Sequence, residues 1–339
     1  MNYNNVPIDW ENVDRLISKS NRIALTTHEN PDGDGLGSEA GLYHHLIELK
    51  KDVRIINYSP LPIDYQFLNE TKIFEQYNNK IHDDWLLNVD LVIIFDVGDF
   101  KRTRDLQKFI LKHNLVTLNI DHHPHPESSP FNHNVVDLSA AATGCMIFDY
   151  LISVRQNPLN KSICDGIYTA VMTDTGCFRY SNTDEKCHNI AIESLKVGVK
   201  THRIYQNVYE NSSQGRMNLL GLILSKIHYE FNGIFAWFEI TEKMMQHAGA
   251  KAQDVEGFSD IARTIKGVEI AMMIMEAGND SCRINFRSKG KFTVNDLAKY
   301  LGGGGHAYAA GAKVNKNILS FKKDFLDGIR ESIKKKVAN

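Results

Sequence analysis

Ile23-Ala24-Leu25-Thr26-Thr27-His28-Glu29-Asn30-Pro31-Asp32-Gly33-Asp34-Gly35-Leu36 sets the fold class. Its apolar, β-branched start predicts a strand, Pro31 and the glycines break that strand, and apolar residues from Leu36 to Leu49 recur at helical spacing. The same strand-to-helix grammar returns at Val53-Arg54-Ile55-Ile56, Leu91-Val92-Ile93-Ile94-Phe95 and Leu115-Val116-Thr117-Leu118-Asn119-Ile120, with a helix predicted over 102–113 between the last two. Alternation of this kind predicts an α/β fold with a parallel sheet. His28, Asp96 and Asp121 each follow the last apolar residue of a predicted strand. They therefore share the carboxyl edge of the sheet, where open α/β folds bind ligands.

Helices are predicted over 143–155 and 162–172, the second delivering Asp174 towards the same edge. From Asp184 to Glu230 the pattern is mostly helical, with a polar joint at Asn211-Ser212-Ser213-Gln214-Gly215. Beyond it strands are expected at 234–240, 268–275 and 283–286, and helices at 294–300 and 318–335. The expected organisation is an N-terminal domain over 1–195, a helical linker over 196–231 and a smaller mixed α/β domain over 232–339.

Composition narrows the function classes. A chain of 339 residues with 42% hydrophobic residues supplies two cores. Net charge is only −2 and the pI about 6.7, which gives no basic field for holding long duplex nucleic acid. The five cysteines are scattered without paired spacing and read as buried or free thiols. The first ten residues lack the basic start and apolar core of a secretory signal, and no apolar run approaches a membrane span. A reducing cytoplasm is the expected compartment.

Five clusters carry the chemistry: His28 to Asp34, Asp96-Val97-Gly98-Asp99, Asp121-His122-His123, Thr173-Asp174-Thr175-Gly176 and Gly302-Gly303-Gly304-Gly305-His306. Oxygen donors mixed with imidazole suit manganese, magnesium, iron, cobalt or zinc, and carboxylates so close together would repel one another without a cation between them. A glycine-rich turn lets His28, Asp32 and Asp34 fold back on one point. Each piece also has an ordinary explanation: Asn30-Pro31-Asp32-Gly33 as a turn, Asp96 and Asp99 as helix caps, Asp174 as a turn residue, the glycine run as a connector. His125 and His133 read as surface histidines, and Lys334-Lys335-Lys336 as a solvated helix end. Four strand-end acidic clusters in one order make the joint coincidence improbable.

The ordered set resembles the DHH phosphoesterases, named for the triplet seen here as Asp121-His122-His123. The match looks close to their NrnA-like oligoribonucleases and pAp phosphatases, which carry a C-terminal DHH-associated domain, and it covers nearly the whole chain. This resemblance implies that His28 and Asp32 bind one metal, that Asp34, His122 and Asp174 bind a second, and that Asp96 bridges the pair, with Mn²⁺ the usual ion. It further implies that His123 contacts the substrate phosphate. Asp99 stands with His123 in the catalytic group, supporting the ligands as Asp121 would. Arg287, with Arg283 assisting, and the loop of Gly303, Gly304, Gly305 and His306 would hold the nucleotide. The active site would lie in a cleft between the domains, and a homodimer is expected. Cys145 follows Thr143-Gly144 where many relatives carry glutamate, so that helix start receives no catalytic role.

The expected activity is metal-dependent hydrolysis of short oligoribonucleotides, linear dinucleotides such as pApA, or pAp, to mononucleotides. Within enzymes the alternatives are an exopolyphosphatase or pyrophosphatase and a single-strand exonuclease. Outside enzymes the alternative is a nucleotide-binding sensor.

Overall fold

The computed structural model describes residues 8–125, 130–255, 257–278 and 280–338. Its contacts divide the chain into two compact units, Met1–Asn211 and Ser212–Asn339.

In the first unit the elements run α1 (Trp10–Lys19), β1 (Arg22–Thr26), α2 (Gly33–Glu48), β2 (Asp52–Asn57), β3 (Phe74–Gln76), α3 (Asn79–Leu86) and β4 (Leu91–Phe95). Then come α4 (Asp105–Lys112), β5 (Thr117–Asp121), β6 (His133–Val136), α5 (Thr143–Val154), α6 (Lys161–Asp174), α7 (Glu185–Lys196) and α8 (Thr201–Tyr209). The six strands form an all-parallel sheet in the order β3-β2-β1-β4-β5-β6. Both faces are covered, which is why β4 and β5 are buried at every position. Alternation along β4 sends Leu91, Ile93 and Phe95 into a core with residues of α2, α5 and α6, and Val92 and Ile94 into a second core with residues of α3 and α4. The strand order reverses between β1 and β4. Such a switch point leaves a crevice at the carboxyl ends of these two strands.

Helices α2 and α6 pack against each other unusually closely. A Cβ on Gly37 would come 2.4 Å from the Gly166 carbonyl oxygen, and one on Gly166 would come 2.6 Å from the Gly37 carbonyl oxygen. Gly33 lies against Thr173 and Gly41 against Ile163 and Ile167, so the helices run antiparallel. The start of α2, with Asp34, therefore meets the end of α6, with Asp174.

The second unit contains α9 (Gln214–Leu224), β7 (His228–Glu230), β8 (Phe235–Ile240), α10 (Glu242–Ala248), α11 (Phe258–Ile261), β9 (Ile270–Glu276) and β10 (Cys282–Ser288). It continues with α12 (Asn295–Tyr300), β11 (Gly304–His306), β12 (Ala309–Val314), α13 (Ile318–Phe321) and α14 (Asp327–Ala338). Its sheet has the order β11-β12-β10-β9-β8-β7 and is antiparallel except between β8 and β9. One face packs on α12, α13 and α14, the other on α9, α10 and α11.

Several expectations shift. The stretch 196–231 is shared between the units, since α8 falls in the first and α9 in the second. The helix expected over 102–113 is a 3-10 turn, Phe100–Thr103, followed by α4, and Arg104 separates the two at φ 56°. The helix expected over 318–335 is interrupted by a π-helical stretch, Lys322–Leu326. The glycine loop ends in strand β11. The cysteines are free, as expected. Among the described residues no helix is long and apolar enough to cross a membrane.

Candidate metal centre

The centre begins at the end of β1. His28 is 3% exposed, and its Nδ1 lies 2.8 Å from the Glu29 carbonyl oxygen, which can only accept. With that hydrogen bond made, Nε2 faces Asp32 Oδ2 at 3.8 Å and Asp96 Oδ2 at 3.5 Å. Arg102, which sequence reasoning missed, places Nη2 2.9 Å from the same Nδ1 and competes for it.

Asp32 satisfies both of its readings, one oxygen to each. Oδ1 caps α2 by accepting from the amides of Asp34 and Gly35, while Oδ2 faces His28. Asp34, 1% exposed, is held from the opposite side by the amino end of α5. The Thr143 amide donates to its Oδ2 at 2.7 Å and the Gly144 amide to its Oδ1 at 2.9 Å. The helix start that sequence left without a role is thus an anion clamp, built on the unpaired amides at a helix N-terminus.

Asp96 follows β4 at φ 59°, a left-handed conformation uncommon for a residue with a side chain. That turn sends its two oxygens different ways. Oδ2 faces His28 Nε2 and Oδ1 faces His122 Nε2, each at 3.5 Å. His122 Nδ1 lies 3.1 Å from the Ala140 carbonyl oxygen, which fixes the tautomer and aims Nε2 inward. There it meets Asp34 Oδ2 at 3.5 Å and Asp174 Oδ2 at 3.7 Å.

These residues fit a pair of divalent cations. Among the described residues the buried His122 Nε2 has no hydrogen-bond partner, and it is aimed at three carboxylate oxygens. Ligands about 2.1 Å from a shared ion stand roughly 3.0 to 3.5 Å from one another, close to the spacing found here. Two donor groups, His28-Asp32-Asp96 and Asp34-His122-Asp174, meet the geometry for holding an ion. A third combination, Asp96-His122-His123, is weaker. Its His123 Nδ1 is 2.8 Å from Asp121 Oδ1, so that nitrogen carries its proton to Asp121 and has no lone pair to offer.

Charge shifts show what a cation would relieve. Burial, then the neighbouring Asp96 and Asp174, push the Asp34 carboxyl well above the usual range. Burial raises Asp174 to about 6. Burial opposes charge on the imidazoles but is outweighed, by Asp32 and Asp96 at His28, which rises to about 10, and by Asp96 and Asp34 at His122, which rises to about 9. Asp121 and Asp96 lift His123 to about 11. Burial likewise works against ionised Asp96, yet His122, His123 and His28 hold it well below the carboxylate range.

Two assignments around the cluster change. Asp99 is exposed and accepts from the Lys101 amide at 3.0 Å, so it caps the 3-10 turn and does not join the ligands. His125, read as a surface residue, has a side chain only 8% exposed that donates from Nε2 to Asp121 Oδ2 at 2.7 Å. His133 is exposed.

In the second unit Arg283 and Arg287 project from the same face of β10, with Arg283 exposed and Arg287 half-buried. Arg287 Nε lies 3.4 Å from Asp260 Oδ2, and Asp260 also pairs with Arg263. Register places His306 opposite Ala309 and Ala309 opposite Arg287, so a cation and an imidazole flank a single methyl group. The glycine run is mostly structural. Gly302 (φ 78°) and Gly305 (φ 139°) occupy backbone that favours glycine, and a Cβ on Gly303 would come 2.2 Å from the Gly311 carbonyl oxygen. Gly304 has no such constraint, and its Cβ position opens on empty space.

Comparison with known proteins agrees with this architecture. The DHH family, N-terminal domain, matches residues 22–171, and the DHHA1 domain matches residues 234–338. The chain is 29% identical to the bifunctional oligoribonuclease and PAP phosphatase NrnA of Thermus thermophilus, over 90% of this chain and 89% of that protein. It is 28% identical to the Bacillus subtilis protein of the same name, over 88% of this chain and 91% of that one. Among solved structures it is similar to an exopolyphosphatase-related protein from Bacteroides fragilis, with a TM-score of 0.88, 26% identity and 95% of each chain covered. With its ordered acidic motifs on the switch-point edge, the chain carries a DHH N-terminal domain followed by a DHHA1 domain and is a phosphoesterase.

Proposed function

We propose that this protein is a cytoplasmic hydrolase of short oligoribonucleotides, of linear dinucleotides such as pApA, and of pAp, using two divalent cations, Mn²⁺ in preference. The observation that carries the proposal is Asp96, whose two oxygens face two separate imidazoles at 3.5 Å each, so that it would help hold both cations, one with His28 and Asp32 and the other with Asp34, His122 and Asp174. Bound there, a pair of divalent cations supplies Lewis acidity and makes water nucleophilic near neutral pH.

The chain's own residues position the reactants. The amides of Thr143 and Gly144 hold Asp34 in place, and the Ala140 and Glu29 carbonyls fix the ring orientations of His122 and His28. His123, with Nδ1–H committed to Asp121 and its ring 45% exposed, keeps Nε2 for a phosphoryl oxygen. Arg287 and His306 hold the remainder of the nucleotide, with Gly304 offering no side chain to obstruct an approaching anionic oxygen. Engaging a phosphate would require Arg287 to exchange its contact with Asp260.

The test is incubation of the purified full chain and Mn²⁺ with pAp, pApA and defined di- to pentaribonucleotides, with polyphosphate in the same panel. Release of mononucleotides or of phosphate from pAp is expected. Absence of nucleotide hydrolysis, or faster turnover of polyphosphate, would reject the substrate class.

A further inference from the structure

His125 lies three residues beyond the ligand His122, outside the donor groups found among the described residues, and the ligand scheme gives it nothing to do. Its surroundings are nevertheless tightly specified. Asp121 is 0% exposed, and a fully buried carboxylate requires donors on both oxygens. Oδ1 accepts from the His123 backbone amide at 3.1 Å and from His123 Nδ1 at 2.8 Å. Oδ2 accepts from His125 Nε2 at 2.7 Å. The His125 ring packs edge-on against Phe131, with ring centroids 6.1 Å apart.

We infer that His125 is a positioning residue for the hydrolytic reaction, acting on His123 through Asp121. A carboxylate held at one oxygen can turn about its broad terminal torsion, and whatever it holds turns with it. A donor on the opposite oxygen fixes the plane. The His123 ring then has one orientation, Nδ1–H inward and Nε2 outward, and Nε2 stays where a phosphoryl oxygen meets it. Displacement of such a group by about 1 Å costs on the order of 100-fold in rate. The inference rests on the proposed role of His123, but the Asp121 linkage can be tested without turnover.

Glutamine and methionine have similar length and differ in the N–H donor, so His125→Gln and His125→Met isolate the contact. Met should lower kcat on pAp or pApA about 10- to 100-fold, with KM and Mn²⁺ affinity held within about twofold, while Gln should restore kcat to within about threefold of wild type. A Met variant as fast as the Gln variant, or an equal fall in both, overturns the inference. Asp121→Asn should lower kcat as well, and adding His125→Met to it should cost little more, because both changes break one chain of contacts. Additive losses would overturn a path through Asp121. Independently, ¹H–¹⁵N NMR of the imidazoles should show a downfield His123 Nδ1–H resonance in the wild type and the Gln variant that is lost in the Met variant. Its persistence in the Met variant overturns the inference. A wild-type protein that hydrolyses no nucleotide would sink the functional proposal while leaving this NMR result to decide the linkage.

Discussion

His122 Nε2 stands 3.5 Å from Asp96 Oδ1 without making a hydrogen bond to it, although the nitrogen is buried. A buried ring nitrogen left without a partner is costly, and a divalent cation bound there would pair it in place of a proton.

Divalent cation should therefore stabilise the folded chain. At a free concentration about a hundredfold above Kd, Mn²⁺ should add about 2.7 kcal/mol, read as a rise in Tm. His122→Ala and Asp34→Asn should each reduce that rise and remove most hydrolysis while the far-ultraviolet circular dichroism of the fold persists. Full activity in both variants would reject the ligand assignment.

The pH dependence has a definite sign. Without cation, His28 and His122 titrate at about 10 and 9 when folded, above the ordinary histidine value of about 6.5. The folded chain then binds more protons than the unfolded one, so their contribution is complete below about 6.5 and is lost as pH rises through 9 to 10. Tm of the cation-free protein should fall across that window. Binding must displace those protons, so Mn²⁺ affinity should climb with pH, with proton release measurable by calorimetry in buffers of different ionisation enthalpy.

Helix contact is the route by which Asp34 and Asp174 meet, and Gly166→Ala tests it. The added methyl would sit 2.6 Å from backbone atoms of Gly37 and Gly41, which have no flexible side chain to move aside. A loss of about 1–3 kcal/mol in chemical denaturation is expected, together with weaker Mn²⁺ binding.

The glycine hairpin separates into structural and ligand-facing positions. Gly305→Ala should destabilise the second unit, because its Cβ would come 2.6 Å from Ala310 Cα at φ 139°. Gly304→Ala should leave Tm unchanged and raise KM, since its Cβ would enter open space. Arg287→Ala should likewise raise KM more than it lowers kcat if the guanidinium holds substrate and transition state equally. A kcat loss at constant KM would place Arg287 at the reacting phosphate.

Much of the molecule was legible in its residues. Strands β1, β2, β4 and β5 are apolar runs bounded by turn residues, and burial on both faces makes such runs visible. Edge strands β3 and β6 were not, because one is three residues long and the other, His133–Val136, carries polar residues that an edge tolerates. The six nominated ligands come together in the two donor groups. Asp99, expected to support them, caps the next turn, a difference hidden in the sequence because a strand-end aspartate looks the same in either role. His125 was misread because alternation says nothing about a side chain folded back by a tight turn.

By itself the sequence determined the layer order, the edge on which the chemistry sits and the donor types, since periodicity, turn residues and ligand chemistry are local properties. Tertiary structure decided which oxygen of each carboxylate faces which nitrogen, that α5 clamps Asp34, and that Asp121 is held from both sides. The Asp34 clamp joins residues as far apart as Asp34 and Gly144, which only the packing of helices on the sheet brings within hydrogen-bond reach, whereas His123 and His125 grip Asp121 across a local turn that alternation does not reveal.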